Sequence, residues 1–257
     1  MVRVFVVGEK ILLLDRKQRR YLVTLSETGE FHSHSGYVPH ANVIGQADGT
    51  TVLSTLGTPY IALRPTLSDF VVEMPRGAQV IYPKDIGPML LLADIGPGVT
   101  VFESGLGSGA LSMAMLRAGA VITGYDIREE FAAKARKNVG SFLGEEALGR
   151  YHSEIRDTYE GIDATGLDRM VLDLPEPWVC VPMAAGGVLA AGAIFVAYTP
   201  QITQAIQTKH ALDRHGFAMT QTIEILQRSW HIEGQAARPD HRMVAHTGFL
   251  TSGRFLG

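Results

Sequence analysis

One segment of the chain has the residue types and spacing that could bind a nucleotide-like cofactor. Residues 103–109 read ESGLGSG, after an apolar run at 99–102 and before a helix-forming stretch at 110–118. A buried strand, a glycine turn and a helix start together present bare backbone N–H groups to a ligand. Asp126 closes the next predicted strand, where its carboxylate can accept hydrogen bonds from a ribose diol. The pattern therefore predicts a nucleotide-type cofactor site.

The order of the glycines, Gly105, Gly107 and Gly109, favours one cofactor over another. They follow G-x-G-x-G with Glu103 two residues before the first, and not the G-x-G-x-x-G of dinucleotide enzymes. At that place we expect Glu103 to repel a pyrophosphate and to attract a cationic amino acid. S-adenosylmethionine carries both an ammonium group and a ribose, so we predict S-adenosylmethionine rather than NAD. The alternative, a glycine turn needed only for close strand–helix packing, leaves Asp126 unexplained.

A second group of polar and aromatic residues, DLPEPW at 173–178, follows the fourth predicted strand. Ligands of open α/β sheets bind beyond the carboxyl ends of the strands. The carboxylate of Asp173, two prolines that stiffen the turn and the exposed indole of Trp178 would form a clamp for a flat heterocycle. The segment is similar to the Asp/Asn-Pro-Pro-aromatic loop of enzymes that methylate amino groups of nucleic acids. The alternative is that the prolines only end the strand and that Trp178 belongs to the core.

Two further positions have two readings each. Asp157, after the third predicted strand, could meet the adenine amine of the cofactor or could be a solvated loop carboxylate. In QVIYPKD at 79–85, Tyr82 could stack on a base and Lys84 could contact phosphate. A structural linker with Tyr82 packed inward is favoured for this segment without further context.

Histidines and basic residues form several groups. The histidines cluster as His32, His34 and His40, and as His231, His241 and His246. A metal site is conceivable, but no cysteine accompanies them and neither spacing matches a helical or hairpin ligand pair. Loop or RNA-facing histidines are therefore favoured, and we predict no metal. The basic residues lie on the N-terminal module or flank the proposed pocket: Arg16, Lys17, Arg19 and Arg20, then Arg64, Arg76, Arg228, Arg238 and Arg242. A stripe joining the two groups would form a track for RNA, but each residue could equally be ordinary surface charge.

The bulk composition is that of a globular enzyme. The chain has 257 residues, 46% hydrophobic and 19% charged, with a formal net charge of −3, so no global positive field indicates a nucleic-acid partner. Cys180 is the single cysteine, which excludes an intrachain disulfide and suits a reducing cytoplasm. No apolar run approaches the ~18 residues of a membrane span. We therefore expect a soluble cytoplasmic protein with no membrane partner.

The predicted elements fall into two parts. Residues 1–65 predict a small all-β domain, with strands at 10–14, 21–25, 51–53 and 60–63. Residues 66–257 predict the larger domain, which starts with a helix at 65–74 capped by Thr66 and a helix at 86–93 capped by Asp85. Strands are then predicted at 99–104, 120–126, 150–155, 169–174, 193–198, 217–226 and 245–252, and helices at 108–118, 128–140, 178–190 and 201–215. This alternation predicts a parallel sheet with helices on both faces, whose last two strands form an antiparallel pair.

Together these segments resemble the tRNA (adenine-N1)-methyltransferase family, which acts on adenine 58 of the T-loop. The segments that carry the resemblance are FHSH at 31–34 with VPH at 38–40, RPT at 64–66, MPRG at 74–77, QVIYPKD at 79–85, ESGLGSG at 103–109, DLPEPW at 173–178, YTPQITQ at 198–204 and HTGFL at 246–250. The YPKD, DLPEPW and HTGFL segments, in this order, are more specific than the glycine loop. In three places the chain departs from the family pattern: Leu106 replaces a small or hydroxyl residue, Asp126 stands where glutamate is commoner, and the segment between the helix at 108–118 and the strand at 120–126 is trimmed.

The resemblance implies a Rossmann-like class I methyltransferase domain with a mixed seven-stranded sheet, preceded by a small all-β domain that contributes to tRNA binding or assembly. It also implies a homotetramer, S-adenosylmethionine as the cofactor and tRNA as the substrate. The residues implied around the cofactor or base are Ile81, Ser108, Gly109, Ala110, Asp126, Phe131, Asp157 and Asp173, with Tyr82 and Asp173 facing the target adenine. Two alternatives stay open: a class I methyltransferase for a small molecule or protein, and a non-catalytic RNA-binding subunit.

Overall fold

The chain divides into two compact units, residues 1–75 and 76–257. The structure, a computed structural model, describes residues 3–74, 79–243 and 245–257. The boundary lies ten residues after the expected one at 65, because the helix at 67–73 packs on the first unit: Arg20 Nη1 donates to Asp69 Oδ1 at 2.9 Å. Pro75, Arg76 and Gly77, which contribute to the family resemblance, lie outside the described residues.

The first unit is built from short antiparallel strands and one helix. These are β1 (Lys10–Leu14), β2 (Arg20–Thr24), β3 (Glu30–Ser33), β4 (Gly36–Pro39), β5 (Thr51–Leu53), β6 (Pro59–Leu63) and α1 (Leu67–Glu73). Four strands form a sheet in the order β2-β1-β6-β5, and β3 pairs with β4 as a hairpin. Thr66 caps α1 through a reciprocal pair of hydrogen bonds with Asp69, as the sequence predicts. The hairpin β3–β4 escapes prediction because its strands are only four residues long and carry few apolar side chains.

The second unit is an α/β sandwich. Its elements are α2 (Pro83–Leu92), β7 (Thr100–Ser104), α3 (Ala110–Arg117), β8 (Val121–Asp126), α4 (Glu129–Leu143), α5 (Glu145–Leu148), β9 (Tyr151–Ile155), β10 (Leu167–Leu172), α6 (Val181–Met183), β11 (Leu189–Thr199), α7 (Ile202–Arg214), β12 (Phe217–Glu224), β13 (Trp230–Glu233), β14 (Ala236–Pro239) and β15 (Phe249–Phe255). The seven-stranded sheet has the order β12-β15-β11-β10-β7-β8-β9. β15 runs antiparallel to both of its neighbours, β12 and β11. The other five strands, β11, β10, β7, β8 and β9, are parallel to one another. The predicted mixed sheet with an antiparallel last strand is confirmed.

The core of this unit lies against the central strands. Phe102, Met170, Leu172 and Phe195 are completely buried within it. Such runs of apolar residues are typical of parallel strands that helices cover on both faces. Because the carboxyl ends of parallel strands meet at one edge, the same packing brings the ends of β7, β8, β9 and β10 together.

Two local predictions are wrong. The predicted helix at 178–190 is instead a 3₁₀ turn at 177–180, the short α6 and a π turn at 184–188, because Gly187 adopts φ = 125°. Asp85 does not cap a helix: α2 begins earlier, at Pro83, and Asp85 lies buried in its first turn. The segment between β12 and β15, for which the sequence predicted no element, contains the hairpin β13–β14. Among the described residues, no helix is both long and apolar enough to cross a membrane.

Candidate cofactor site and active site

A cavity of about 380 Å³ opens at the carboxyl ends of the parallel strands. Its walls are loops that follow four strands: Ser104 and Gly105 after β7, Asp126 to Arg128 after β8, Arg156 to Tyr159 after β9, and Asp173 to Pro175 after β10. Strand order reverses at β7, since the chain moves outward from it to β8 and β9 on one side and to β10 and β11 on the other. This is the switch point where open α/β sheets bind their ligands.

The glycine loop packs directly against the DLPEPW loop. Gly105 has φ = 86°, and a Cβ built on it would lie 2.1 Å from the carbonyl oxygen of Asp173. The Asp173 N–H in turn donates to the Ser104 carbonyl at 2.9 Å. Only glycine combines this backbone angle with this close approach. The cofactor loop and the Asp173 backbone are therefore one structural unit.

Asp126 joins the loop to β8. Its Oδ2 accepts from the Gly107 N–H at 3.2 Å and its Oδ1 accepts from the Arg128 N–H at 3.0 Å. Each carboxylate oxygen has two acceptor sites, so one remains on each oxygen for a ligand. Asp126, which stands where glutamate is commoner in the resembling family, therefore lines the cavity and also holds the glycine loop in place.

The remaining predicted loop residues lie behind this wall. Gly109 begins α3 with φ = 79°, and a Cβ there would be 3.0 Å from the Ala135 Cα. The Ser108 carbonyl accepts from Asn138 Nδ2 at 2.9 Å, and Ala110 is buried. Ser108, Gly109 and Ala110 are thus placed to hold the loop against α4 and do not line the cavity.

Two other predicted cofactor residues also sit off the cavity wall. Ile81 is buried just before α2. Phe131, on α4, lies under the Arg128 guanidinium at 3.7 Å from the ring centroid. Because Arg128 lines the cavity, Phe131 supports the wall from behind.

Glu103 is not brought to the cavity. Its side chain is 1% exposed and its Oε2 accepts from the Ser112 hydroxyl of α3 at 2.7 Å. Burial raises the pKa of Glu103 to about 8, and the charges of Asp173 and Asp126 add to that rise. Burial therefore favours the neutral form of this carboxyl far more than in an exposed glutamate. The structure does not support the expected attraction of a cationic amino acid by Glu103.

Asp173 and Asp157 both line the cavity. Burial raises the pKa of Asp173 to about 7, with a further contribution from the Asp126 charge. Asp157 accepts from the Tyr159 N–H at 2.8 Å and so caps the short 3₁₀ turn at 158–160. Three carboxylates, those of Asp126, Asp157 and Asp173, thus face one small volume, which suits a cationic ligand.

The DLPEPW loop is rigid for reasons beyond its prolines. The Glu176 N–H donates to the Tyr159 hydroxyl at 2.9 Å, and Gln204 Nε2 donates to the Pro175 carbonyl at 2.9 Å. Trp178 is partly buried and packs against the core cluster, so the prediction of an exposed indole clamp is wrong for this residue. Leu174 and Pro175 supply the apolar wall of the cavity instead.

In the QVIYPKD segment, neither Tyr82 nor Lys84 lines the cavity. The Lys84 side chain is 6% exposed and its ammonium donates to Asp85, to the Ile225 carbonyl and to Thr247. This agrees with the structural role favoured for the segment and leaves the ammonium no free proton for a phosphate. Tyr82 is partly buried and lies near Tyr198 at the end of β11. Burial raises the pKa of Tyr198 to about 12, and the nearby Asp85, Asp173 and Tyr82 contribute. Tyr198 itself is buried and does not line the cavity.

Metal binding has no support in the described ranges. Within residues 3–74, 79–243 and 245–257, no three His, Cys, Asp or Glu side chains are grouped so that they could hold an ion. His40 is buried and accepts from the Ser26 N–H at 3.1 Å, and His246 bridges Glu224 and the Pro200 carbonyl.

Two family models match the chain. The model described as the tRNA methyltransferase complex GCD14 subunit matches residues 60–240, and the TrmI-like N-terminal model matches residues 4–52. The chain belongs to this tRNA methyltransferase family.

Relatives in this family match the chain along nearly its whole length. The tRNA (adenine(58)-N(1))-methyltransferase TrmI of Thermus thermophilus is 36% identical over 245 residues, 94% of this chain and 95% of the relative. The TrmI of Methanocaldococcus jannaschii, named for adenines 57 and 58, is 35% identical over 269 residues, 95% of this chain and 94% of the relative.

Two solved structures share the fold. A SAM-dependent O-methyltransferase from Thermotoga maritima has a TM-score of 0.93 at 28% identity, covering 99% of this chain and 95% of its own. The tRNA (m1A58) methyltransferase TrmI from Aquifex aeolicus has a TM-score of 0.86 at 26% identity, covering 99% of this chain and 100% of its own. The resemblance proposed from the sequence motifs is confirmed, and the class I methyltransferase fold with it.

Leu106, which departs from the family loop, has a structural partner. Leu106 is 3% exposed, and a Cβ built on Gly124 would lie 2.7 Å from its Cδ2. Leu106 therefore fills the space that the glycine of β8 leaves open. The large residue in the loop and the small residue on the strand compensate each other.

Proposed function

We propose that this protein transfers a methyl group from S-adenosylmethionine to N1 of adenine 58 in tRNA. The observation that carries the proposal is that Asp173, the carboxylate for the acceptor base, lines the same cavity as Gly105 and Asp126 of the cofactor loop. Donor and acceptor groups can then meet in one place. The names of the relatives that match the whole chain support the choice of base.

The cavity residues fit S-adenosylmethionine. A volume of about 380 Å³ is within the range of small-molecule sites. We assign Asp126 to the ribose hydroxyls, Asp157 to the adenine amine and the exposed Ile127 to the adenine face. The three carboxylates complement the positive charge of a sulfonium. When bound, the cofactor supplies an already activated methyl group.

The chain then contributes alignment and electrostatics. N1 of adenine is a neutral, weak nucleophile, and its methylation makes the ring cationic. We propose that the Asp173 carboxylate accepts a hydrogen bond from the N6 amine and stabilises the charge that develops on the ring. Tyr82 holds the base after it leaves the tRNA fold. No proton has to leave the base before the transfer.

The deciding experiment is mass spectrometry of an unmodified tRNA transcript after incubation with the protein and S-adenosylmethionine. We expect one N1-methyladenosine, in the fragment that contains position 58. A transcript that stays unmethylated while a small molecule or protein is labelled would contradict the proposal. A methylated hydroxyl in the product would favour the chemistry named for the Thermotoga relative.

A basic turn in the first unit supports tRNA binding. Asp15 is buried and accepts from the N–H groups of Lys17 and Arg19 and from the Arg19 guanidinium, at 2.6–3.0 Å. This holds the turn between β1 and β2 in one shape. Arg16 and Lys17 are exposed there and take part in none of the ion pairs found among the described residues. We propose that they contact RNA phosphates.

Reversing these charges is expected to weaken tRNA binding. Arg16→Glu and Lys17→Glu should each raise the Kd for tRNA about 3–10-fold at low salt and reduce the slope of log Kd against log salt by roughly one. Lys137→Glu, an exposed lysine on α4, is the matched control and should change neither quantity. Filter binding across a salt series measures both. Equal losses in all three variants would indicate a general charge effect and not a site.

The hairpin β13–β14 supports self-association. Trp230 and Ile232 lie on one face of β13 and are 57% and 72% exposed. Large exposed apolar side chains on one face are typical of protein interfaces. We propose that this face contributes to the homotetramer that the family resemblance implies, and that the protein acts on tRNA in the cytoplasm.

Polar substitutions on this face are expected to reduce the oligomer size. Trp230→Glu combined with Ile232→Glu should shift the wild-type tetramer to a smaller species in sedimentation velocity at about micromolar concentration. Glu233→Ala, on the opposite face of β13, is the control and should leave the tetramer intact. A monomeric wild type would contradict the proposed assembly.

A further inference from the structure

Lys84, Asp85 and Thr247 form a closed, buried hydrogen-bond network in the second unit. The Lys84 ammonium donates to Asp85 Oδ1 at 2.8 Å, to Thr247 Oγ1 at 2.6 Å and to the Ile225 carbonyl at 2.6 Å. The Thr247 hydroxyl donates to Asp85 Oδ2 at 2.7 Å. All three protons of the ammonium and both oxygens of the carboxylate are used. The network is therefore complete, and removal of one member leaves a buried charge with an unmet partner.

One side of this network fixes Tyr82. The Asp85 N–H donates to the Tyr82 carbonyl at 2.9 Å, and Tyr82 is the N-cap residue directly before α2. The place of the Asp85 carboxylate thus sets the place of the first turn of α2. The ring of Tyr82 moves with that turn.

The other side fixes Tyr198. The Tyr198 hydroxyl donates to the Thr247 carbonyl at 2.5 Å. A Cβ built on Gly248 would lie 2.4 Å from Cζ of Tyr198, so the ring lies close against the backbone of that glycine. Thr247 therefore holds the start of α2 with its side chain and Tyr198 with its backbone.

The segment that carries Thr247 is itself anchored. His246 Nδ1 lies 2.7 Å from Glu224 Oε1, and its Nε2 lies 2.8 Å from the Pro200 carbonyl. Both partners are acceptors, which suits a doubly protonated ring, and the bond to Glu224 raises the pKa of His246. The segment around Thr247 should therefore stay in place in a Thr247 variant. Any shift of the first turn of α2 would then be a shift relative to this segment.

We propose that Thr247 is a positioning residue that sets the separation of the aromatic side chains of Tyr82 and Tyr198. The proposal rests on the proposed function, in which Tyr82 holds the target adenine. Without the Thr247 hydroxyl the first turn of α2 shifts, and the base is less well aligned for transfer. The cofactor loop, which Asp126 and Asp173 hold, is unaffected.

The test compares Thr247→Val, which removes the hydroxyl, with Thr247→Ser, which keeps it. We expect Thr247→Val to lower kcat about 10–100-fold and to change the Kd for S-adenosylmethionine, measured by calorimetry, by less than about twofold. Thr247→Ser should retain kcat within about threefold. Thr208→Val is the matched control, since this threonine is also buried and donates to the Gln204 carbonyl at 2.8 Å inside α7. It should lower thermal stability without a change in kcat of the folded protein.

A second readout is independent of tRNA methylation. In crystal structures of the wild type and Thr247→Val, we expect the first turn of α2 and the Tyr82 ring to move relative to Tyr198. Superimposable positions of the two rings would overturn the proposal, and so would a wild-type kcat in folded Thr247→Val. Equal losses of kcat in Thr247→Val and Thr208→Val would also overturn it. If the wild type fails to methylate tRNA but the ring displacement is observed, the proposed function fails and the positioning role of Thr247 stands.

Discussion

Asp173→Asn is expected to lower the kcat of tRNA methylation by about 10²–10³-fold. The amide keeps the shape of the side chain and its place on the cavity wall, but it carries no charge to stabilise the cationic ring of the product. Because the cofactor loop contacts only the backbone of Asp173, the Kd for S-adenosylmethionine should change by less than about tenfold. Single-turnover transfer of labelled methyl and calorimetry measure the two quantities.

Glu176→Gln is the matched control for this experiment. Glu176 is an exposed carboxylate in the same loop and does not line the cavity. Its substitution should leave kcat within about twofold of the wild type. Full activity in Asp173→Asn would remove Asp173 from the mechanism.

The substitution Asp173→Asn is also expected to change the unfolding free energy in a pH-dependent way. The pKa of Asp173 is about 7 in the folded, ligand-free protein, above its ordinary value of 3.8, because burial disfavours the ionised form. The folded state therefore binds the proton more tightly than the unfolded state, and this contribution to the unfolding free energy is lost as pH rises towards 7. Asp173→Asn should be more stable than the wild type at pH 8, and the difference should vanish below about pH 4. Urea unfolding at the two pH values tests this, and an equal stability at pH 8 would contradict the desolvated position of the carboxyl.

Gly105→Ala is expected to abolish cofactor binding and to destabilise the protein by about 3 kcal/mol. A methyl group at this position would lie 2.1 Å from the carbonyl oxygen of Asp173 and 2.9 Å from its carbonyl carbon. Both atoms belong to the backbone, so no rotamer change relieves the clash. The loop has to move away from β10, and the cavity between them changes shape.

Gly98→Ala is the control for Gly105→Ala, because it measures the cost of placing alanine at a positive φ without a steric clash. Gly98 has φ = 79° and no atom within 4 Å of a built Cβ, and it lies in the turn before β7. It should lose only about 1 kcal/mol and bind S-adenosylmethionine normally. Thermal unfolding and calorimetry measure both effects. Similar losses in the two variants would mean that the approach to Asp173 has no special role.

Local signals explain which parts of the fold were predictable. The Thr66–Asp69 capping box, the periodic strands and the glycine turn at 103–109 depend on residues within a few positions of one another. They predicted α1, the seven-stranded sheet and the loop. The helix expected at 178–190 failed where a local signal was overlooked, since Gly186 and Gly187 interrupt it.

The pKa values and contacts of individual side chains were less predictable. The sequence places Glu103 beside the glycines, but burial desolvates its carboxyl and raises its pKa to about 8, against the lowering effect of the hydrogen bond from Ser112. Lys84 looks like a phosphate ligand until its partners Ile225 and Thr247, more than 140 residues away, are known.

By itself the sequence determined the order of the elements, the family, and the glycine loop with Asp126 and Asp173 at strand ends. These follow from periodicity, capping and backbone angles, which are properties of neighbouring residues. Only the tertiary structure decided that Glu103 is buried with a raised pKa, that Leu106 fills the space over Gly124, and that Thr247 is hydrogen-bonded to both Asp85 and Tyr198. The physical reason is that desolvation, close packing and long-range hydrogen bonds depend on which distant segments meet, and no local pattern records that.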